Sequence, residues 1–235
     1  MSRMSRPLRI QVIAEGETDK IVLDAFIEAI LGDAGFVSTL IQPETSRAFG
    51  HAGAHGGGWK GVRGKCFEMR GRGGVEAGGY LANTDILLVH VDGEVAEDPE
   101  VACAKPCPPP SATAEALRQT VLSWMGGDTV DPRVVVAIPM KETEAWVVAA
   151  LRPGEKLLQG TGDACFECRD KPSALLAGGS PRLVRSGKKH KSAYSEVERE
   201  LVKGVEHARK LSQVTQFEEC LRAAHAVFML QAQAP

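Results

Sequence analysis

Three pairs of acidic residues hold the chemistry this sequence can do: Glu15 and Glu17 in "VIAEGETDK", Asp92 and Glu94 in "LLVHVDGEV", and Glu142 and Glu144 in "IPMKETEAW". Each pair follows an apolar run. An unpaired carboxylate is costly to bury, so acids recurring where apolar segments end point to a cation. Mg²⁺ takes oxygen ligands, keeps several waters and is held by one or two carboxylates plus a substrate phosphate; Mn²⁺ accepts similar donors. In a two-ion arrangement the metals stabilise the attacking and leaving oxygens of phosphoryl transfer. The Asp-x-Glu spacing lets Asp92 and Glu94 face one ion around a tight turn. The alternative is that these acids are solvated caps, favoured by helix dipoles.

The elements that must position these acids follow from periodicity. "LRIQVIA" (8–14) alternates like a strand, and Thr18 can cap a helix whose apolar residues Ile21, Val22, Ala25, Phe26, Ala29 and Ile30 recur at helical spacing. "STLIQPE" (38–44) predicts a second strand. Residues 85–94 and 133–140 are near-continuous apolar runs, as expected of strands covered on both faces of a parallel sheet. Residues 112–125 read as a crossover helix. "ETEAWVVAALR" reads as a helix that Trp146 packs onto the sheet. Alternating strands and helices predict an α/β, Rossmann-like, mostly parallel sheet flanked by helices, with functional groups at the carboxyl ends of the strands. We expect that α/β domain over residues 1–155. Over 156–235 we expect a basic loop and C-terminal helices, near 193–209 and 214–230, packed on the same domain. Residues 50–74 are Gly-rich and basic, without long periodicity, and predict mostly loop.

The chain has 235 residues, 43% of them apolar, which is ample for one α/β core. Its formal net charge of -2 gives no global bias toward nucleic acid, so a basic surface must be local. Two segments qualify. One carries Lys60, Arg63, Lys65, Arg70 and Arg72, and the other Arg182, Arg185, Lys188, Lys189 and Lys191. Either can hold a phosphate backbone or be a solvated face. "GGGWKGVRGKC" is not a phosphate-binding P-loop, because Trp59 and Cys66 stand where that pattern needs Gly and Ser or Thr. "CAKPC" and "CFEC" place Cys103, Cys107, Cys165 and Cys168 at spacings that suit a structural Zn²⁺, or they are unrelated thiols. The first apolar run is too short for an export signal, so thiols are expected rather than disulfides. No stretch approaches the roughly 18 apolar residues of a membrane span, and a cytoplasmic location without membrane contact is the expectation.

"VIAEG" followed by a helix, and then "ILLVHVDGE", resembles the two signature motifs of the TOPRIM domain, a metal-binding α/β domain of topoisomerases, primases and OLD-type nucleases. "IPMKETEAW" is similar to a small stand-alone TOPRIM-like branch with a Glu-x-Glu-Ala-Trp segment, and the likeness runs from residue 8 to about 150. The resemblance implies a TOPRIM-like fold in which Glu15 is the catalytic acid/base or a ligand and Asp92 and Glu94 bind Mg²⁺ or Mn²⁺. Glu144, with Glu142, would supply a second metal site. It further implies a nuclease hydrolysing DNA or RNA phosphodiesters with water as nucleophile, in a phage-defence setting beside a partner ATPase. The chain departs from the pattern at Glu94, where Asp is usual. It also lacks the Lys or Arg of topoisomerase-type sites, and neither Tyr80 nor Tyr194 has the setting of a topoisomerase nucleophile. From another class stands a non-catalytic binding subunit, since fold does not fix function. In a metal-free cleft the clustered acids are expected to repel one another, so that Asp92→Asn would leave the fold intact or stabilise it.

Overall fold

The computed structural model describes residues 6–44, 53–127, 131–160, 165–178 and 182–233. Strands β1 (Leu8–Ile13), β2 (Phe36–Gln42), β3 (Ile86–His90) and β4 (Val134–Ala137) form one parallel sheet in the order β2-β1-β3-β4. The helices are α1 (Glu17–Leu31), α2 (Gly58–Gly71), α3 (Gly74–Ala77), α4 (Pro110–Trp124), α5 (Glu144–Leu151), α6 (Lys191–Glu196), α7 (Glu198–Ala208) and α8 (Ser212–Gln233). The period-two alternation of the strands divides the core. Leu8, Ile10, Val12, Ile86, Leu88, Val135 and Ala137 face the layer containing α1, α5, α7 and α8. Ile13, Leu87, Val89 and Val136 face α2 and α4. All five residues of β3 are buried, which is why its sequence is apolar without alternation. Among the described residues no helix is long and apolar enough to cross a membrane.

Two expectations change. Helix α1 starts at Glu17, with extended Gly16 rather than Thr18 as its cap, so that Glu17 and Asp19 lie in the first turn, where the helix dipole favours acids. Residues 58–71 are helix, not loop; residues 50–52 lie outside the described residues. The apolar stripe of α2 is thin, with Val62, Cys66 and Met69 buried among glycines and charges. Gly61 is needed there: a Cβ would sit 2.6 Å from Gln42 Nε2, so glycine lets α2 close on the end of β2. Trp146 belongs to the buried cluster that includes the strand residues Val12, Leu88, Val135 and Ala137. Its ring stacks on Phe26 of α1 at 5.2 Å and meets Phe217 of α8 at 5.4 Å, tying the C-terminal helices to the first helix.

The chain after β4 returns to the sheet edge twice. Glu167, in the 3-10 turn Phe166–Cys168, is buried and accepts the backbone N–H groups of Ser212 (2.8 Å) and Gln213 (3.0 Å). It thereby caps the start of α8 from far away in sequence. Strands β5 (Val184–Arg185) and β6 (Lys188–Lys189) then form an antiparallel hairpin through Ser186 and Gly187. Both turn residues have positive φ, 49° and 71°, as the tight hairpin turn that matches strand twist requires.

Gly204 of α7 rests on α5, and a Cβ there would lie 2.7 Å from the carbonyl carbon of Ala150. Helix propensity favours alanine by roughly 1 kcal/mol, but overpacking costs roughly 1–3 kcal/mol and a backbone neighbour cannot swing aside. Gly204→Ala is therefore expected to lower the melting temperature by a few degrees. An increase would show that α7 and α5 are less closely seated than described.

Candidate active site

The segments after β1, β3 and β4 bring three acids, Glu15, Asp92 and Glu144, to one edge of the sheet. Glu15 follows β1 by two residues, and its Oε1 accepts the backbone N–H of Asp92 at 2.8 Å. Asp92 follows β3 by two residues. Its Oδ1 accepts from the backbone N–H of Thr143 at 2.7 Å and from the Thr143 hydroxyl at 2.8 Å. Because that hydroxyl spends its proton on Asp92, it can only accept from His90, whose Nε2 lies 2.8 Å away and must carry a proton. Glu144, the next residue, opens α5 with no solvent exposure and accepts the Tyr194 hydroxyl at 2.6 Å.

The cation at the centre of this group belongs to the protein. Lys189, carried in by the β5–β6 hairpin, donates to Asp19 Oδ1 at 2.7 Å and lies 3.1 Å from Glu144 Oε2. Asp19 is buried in the first turn of α1. Burial pushes the Asp92 carboxyl upward, but the Lys189 charge, then His90 and Thr143, outweigh it and hold it at about 2. Glu15 lacks such a partner. Burial, and after it the Asp92 charge, pushes it up to about 8. Burial likewise pushes Glu144 up to about 7 against the pull of Lys189. For His90 burial opposes the proton, yet the carboxylate of Asp92 raises it above its ordinary range.

The other expected site residues are placed as follows. Glu94 is exposed at the mouth of the cluster, its pKa raised by partial burial and by Asp92. Glu17 faces outward to Lys191 at 2.7 Å. Glu142 accepts the backbone N–H of Ser173 at 3.1 Å and so fixes the following segment. Arg182, Arg185 and Lys188 are exposed. Lys189, grouped by sequence with these phosphate-binding candidates, is instead turned into the acids. Asp19 and Thr143 join the site without having been singled out. Asp19 did leave a signal: with Val22, Leu23 and Phe26 it lies on the buried stripe of α1, a charged residue at an apolar position.

The four cysteines do not assemble as the expected zinc site. Cys107 and Cys168 are joined in a disulfide with Cα atoms 5.6 Å apart, and Cys103 and Cys165 are free. The expectation of free thiols there is thus corrected, for loop folding brings residues 61 apart together.

Among the described residues no group of three or more His, Cys, Asp or Glu is arranged to hold a metal ion as it stands. The donor chemistry is nevertheless that of a hard divalent ion, with carboxylate oxygens from three strand ends. Glu144 Oε2 is buried without a hydrogen bond and meets only the ammonium of Lys189. Comparison with protein-family models, with curated proteins and with solved structures found no match.

These environments set a pH dependence. Folded Glu15 and Glu144 bind protons up to about 8 and about 7, above their ordinary 4.5, so their contribution to stability is full at low pH and is lost as pH rises. Asp92, held at about 2 against its ordinary 3.8, contributes above that ordinary value and is lost toward pH 2. Stability in EDTA is expected to peak near pH 4–5 and fall through pH 8. Glu15→Gln should flatten the upper limb in thermal melts, and an unaltered slope would remove Glu15 from the buried cluster.

Proposed function

We propose that this chain is a TOPRIM-like phosphodiesterase, a nuclease that hydrolyses DNA or RNA with Mg²⁺ or Mn²⁺. One observation carries the reading: Asp92 and Glu144, from the carboxyl ends of two parallel strands, and Asp19 of α1 surround the cationic side chain of Lys189, with Glu15 of a third strand end bonded to the Asp92 backbone. The motif order that resembles TOPRIM domains supports it, and the all-parallel sheet is compatible with that family. Glu15 and Asp92 would hold the ion, with Glu94 reaching in from the mouth and Asp19 and Glu144 behind. Such an ion lowers the pKa of water and neutralises charge developing on phosphate.

The chain's own residues have separate tasks. Thr143 and His90 fix the orientation of Asp92 and keep it ionised. Glu15, with its carboxyl pushed up to about 8 in the metal-free cluster, holds a proton at neutral pH and would release it on taking up the ion. Lys189 is the fixed cation for a non-bridging phosphate oxygen, and the exposed Arg182, Arg185 and Lys188 on the same hairpin segment are placed for neighbouring phosphates.

A second reading, a non-catalytic binding module, is favoured by one feature. Lys189 already pairs with Asp19 and Glu144, and Tyr194 helps to bury Glu144 completely. Such an ionic core can serve architecture alone.

Assays on plasmid DNA and on RNA separate the two. Cleavage with Mg²⁺ or Mn²⁺ that EDTA abolishes is the expected result, and Asp92→Asn should reduce it to background. The same variant should be less stable, not more. The structure supplies Asp92 with Lys189, His90 and Thr143 as partners, worth roughly 2 kcal/mol for a depression of this size. The expectation of relieved repulsion is thereby reversed. Absence of cleavage under every metal condition, with Asp92→Asn still destabilised, would leave the binding module standing.

A further inference from the structure

The Gly-rich basic segment from which the sequence predicted a loop folds as α2, and one stripe of that helix runs from the margin of the core, where Trp59 packs, out to exposed Phe67. Trp59, Arg63 and Phe67 recur every four residues and so lie one above another. The guanidinium of Arg63 sits 4.7 Å from the Trp59 ring centroid and 6.0 Å from that of Phe67, and Lys60 Nζ lies 5.3 Å from Trp59. Trp59 is half-buried, its ring backed by Trp124 at 6.3 Å. Phe67 is 48% exposed although it is a large apolar side chain on a helix with an apolar core face available. Arg70, one turn further, is exposed as well.

This stripe is attached to the carboxylate cluster. The N–H of Gly58, the first residue of α2, donates to the backbone carbonyl of Glu15 at 2.9 Å. The row of rings and cations therefore starts beside the site and runs away from it for roughly 12 Å. One acid faces it: Glu100 pairs with Lys60 and with Arg63, the latter at 2.8 Å. Glu100 is itself exposed, so the pairing is screened and exchangeable for a phosphate.

We propose that the Trp59–Arg63–Phe67 face of α2 is a binding track for single-stranded nucleic acid that leads the strand to the carboxylate cluster. Its role in guiding a substrate rests on the nuclease reading; binding itself does not. The chemistry favours this occupant. Alternating aromatic and guanidinium planes accept unstacked bases in any sequence, while Lys60, Arg63 and Arg70 complement the phosphates. A duplex keeps its base faces covered and can offer the stripe only its backbone. A protein partner is the competing occupant.

The test uses the full chain in EDTA, with fluorescein-labelled oligo-dT and a duplex of equal length as probes read by anisotropy. Oligo-dT is expected to bind more tightly than the duplex. Phe67→Ala, at an exposed position where folding is unaffected, should weaken oligo-dT about tenfold, as loss of one stacked base does. Phe67→Tyr should restore it. Arg63→Ala should weaken binding and reduce its salt dependence. Equal affinity for single strand and duplex, or Phe67→Ala binding like the wild type, overturns the proposal. So does self-association of the wild type that Phe67→Ala abolishes without any effect on oligo-dT, which would assign the face to a protein. Phe67-dependent binding without cleavage under any metal condition would retire the nuclease reading and keep the track. Metal-dependent cleavage with Phe67-independent binding would do the reverse.

Discussion

The contact on which the rest of the structure leans is the ammonium of Lys189 among Asp19, Glu144 and Asp92. Taking charges out of water costs several kcal/mol per ion, and the mutual attraction repays this only when geometry and extra hydrogen bonds are good. Here they are supplied from every side. Thr143 holds Asp92, Tyr194 holds Glu144, and Lys189 donates to Asp19. Removing one partner from such a group costs far more than forming it gains, so the hairpin that carries Lys189 and the helix that carries Tyr194 are bound to the sheet edge by charge as well as by packing.

That constraint explains why the C-terminal segment is not an appendage. Trp146 sits between Phe26 and Phe217, Glu167 caps α8, and Gly204 lets α7 close on α5. Each contact joins the part after β4 to the part before it, and the core on that face runs through both. The hydrophobic contacts set the distance between the layers, while the ionic group fixes which residues meet at the edge. Apolar packing is non-directional; the bonds around Asp92 are not.

The sequence made the strands and their acidic ends readable, because both depend on local pattern. Near-continuous apolar runs marked β3 and β4, and acids directly after them marked Asp92 and Glu144. What was not readable depends on chain reversal. Lys189 stands in a run of basic residues that looks like one solvated or phosphate-binding surface, and the hairpin through Ser186 and Gly187 returns it to the site with strand alternation turning it inward while Lys188 stays exposed. The same limit hid the pairing of Cys107 with Cys168 and the outward course of Glu17 and Glu142. Helix α2 escaped for another reason: its glycines lower propensity, and its burial comes from tertiary fit against β2.

The balance of charge at the site bears on the nuclease reading itself. At neutral pH Glu15 keeps its proton and Glu144 is near half-protonated, so Lys189 and these protons together offset most of the negative charge of Asp19 and Asp92. The metal-free cluster is thus close to neutral, which is why it can be buried without a bound ion. Metal ligands must be deprotonated, so on the proposed reading a dication has to displace protons from Glu15 and Glu144 and compete with an ammonium tethered by the chain. Affinity then rises with pH over the range in which the metal-free fold loses stability, and the two trends oppose one another. A purely architectural ionic core has no such compensation: its acids would be better served by lower pKa values and more hydrogen bonds. The raised pKa of Glu15 follows from burial and the Asp92 charge without a cationic partner to offset them, and it is the part of the cluster on which the nuclease and the architectural readings diverge.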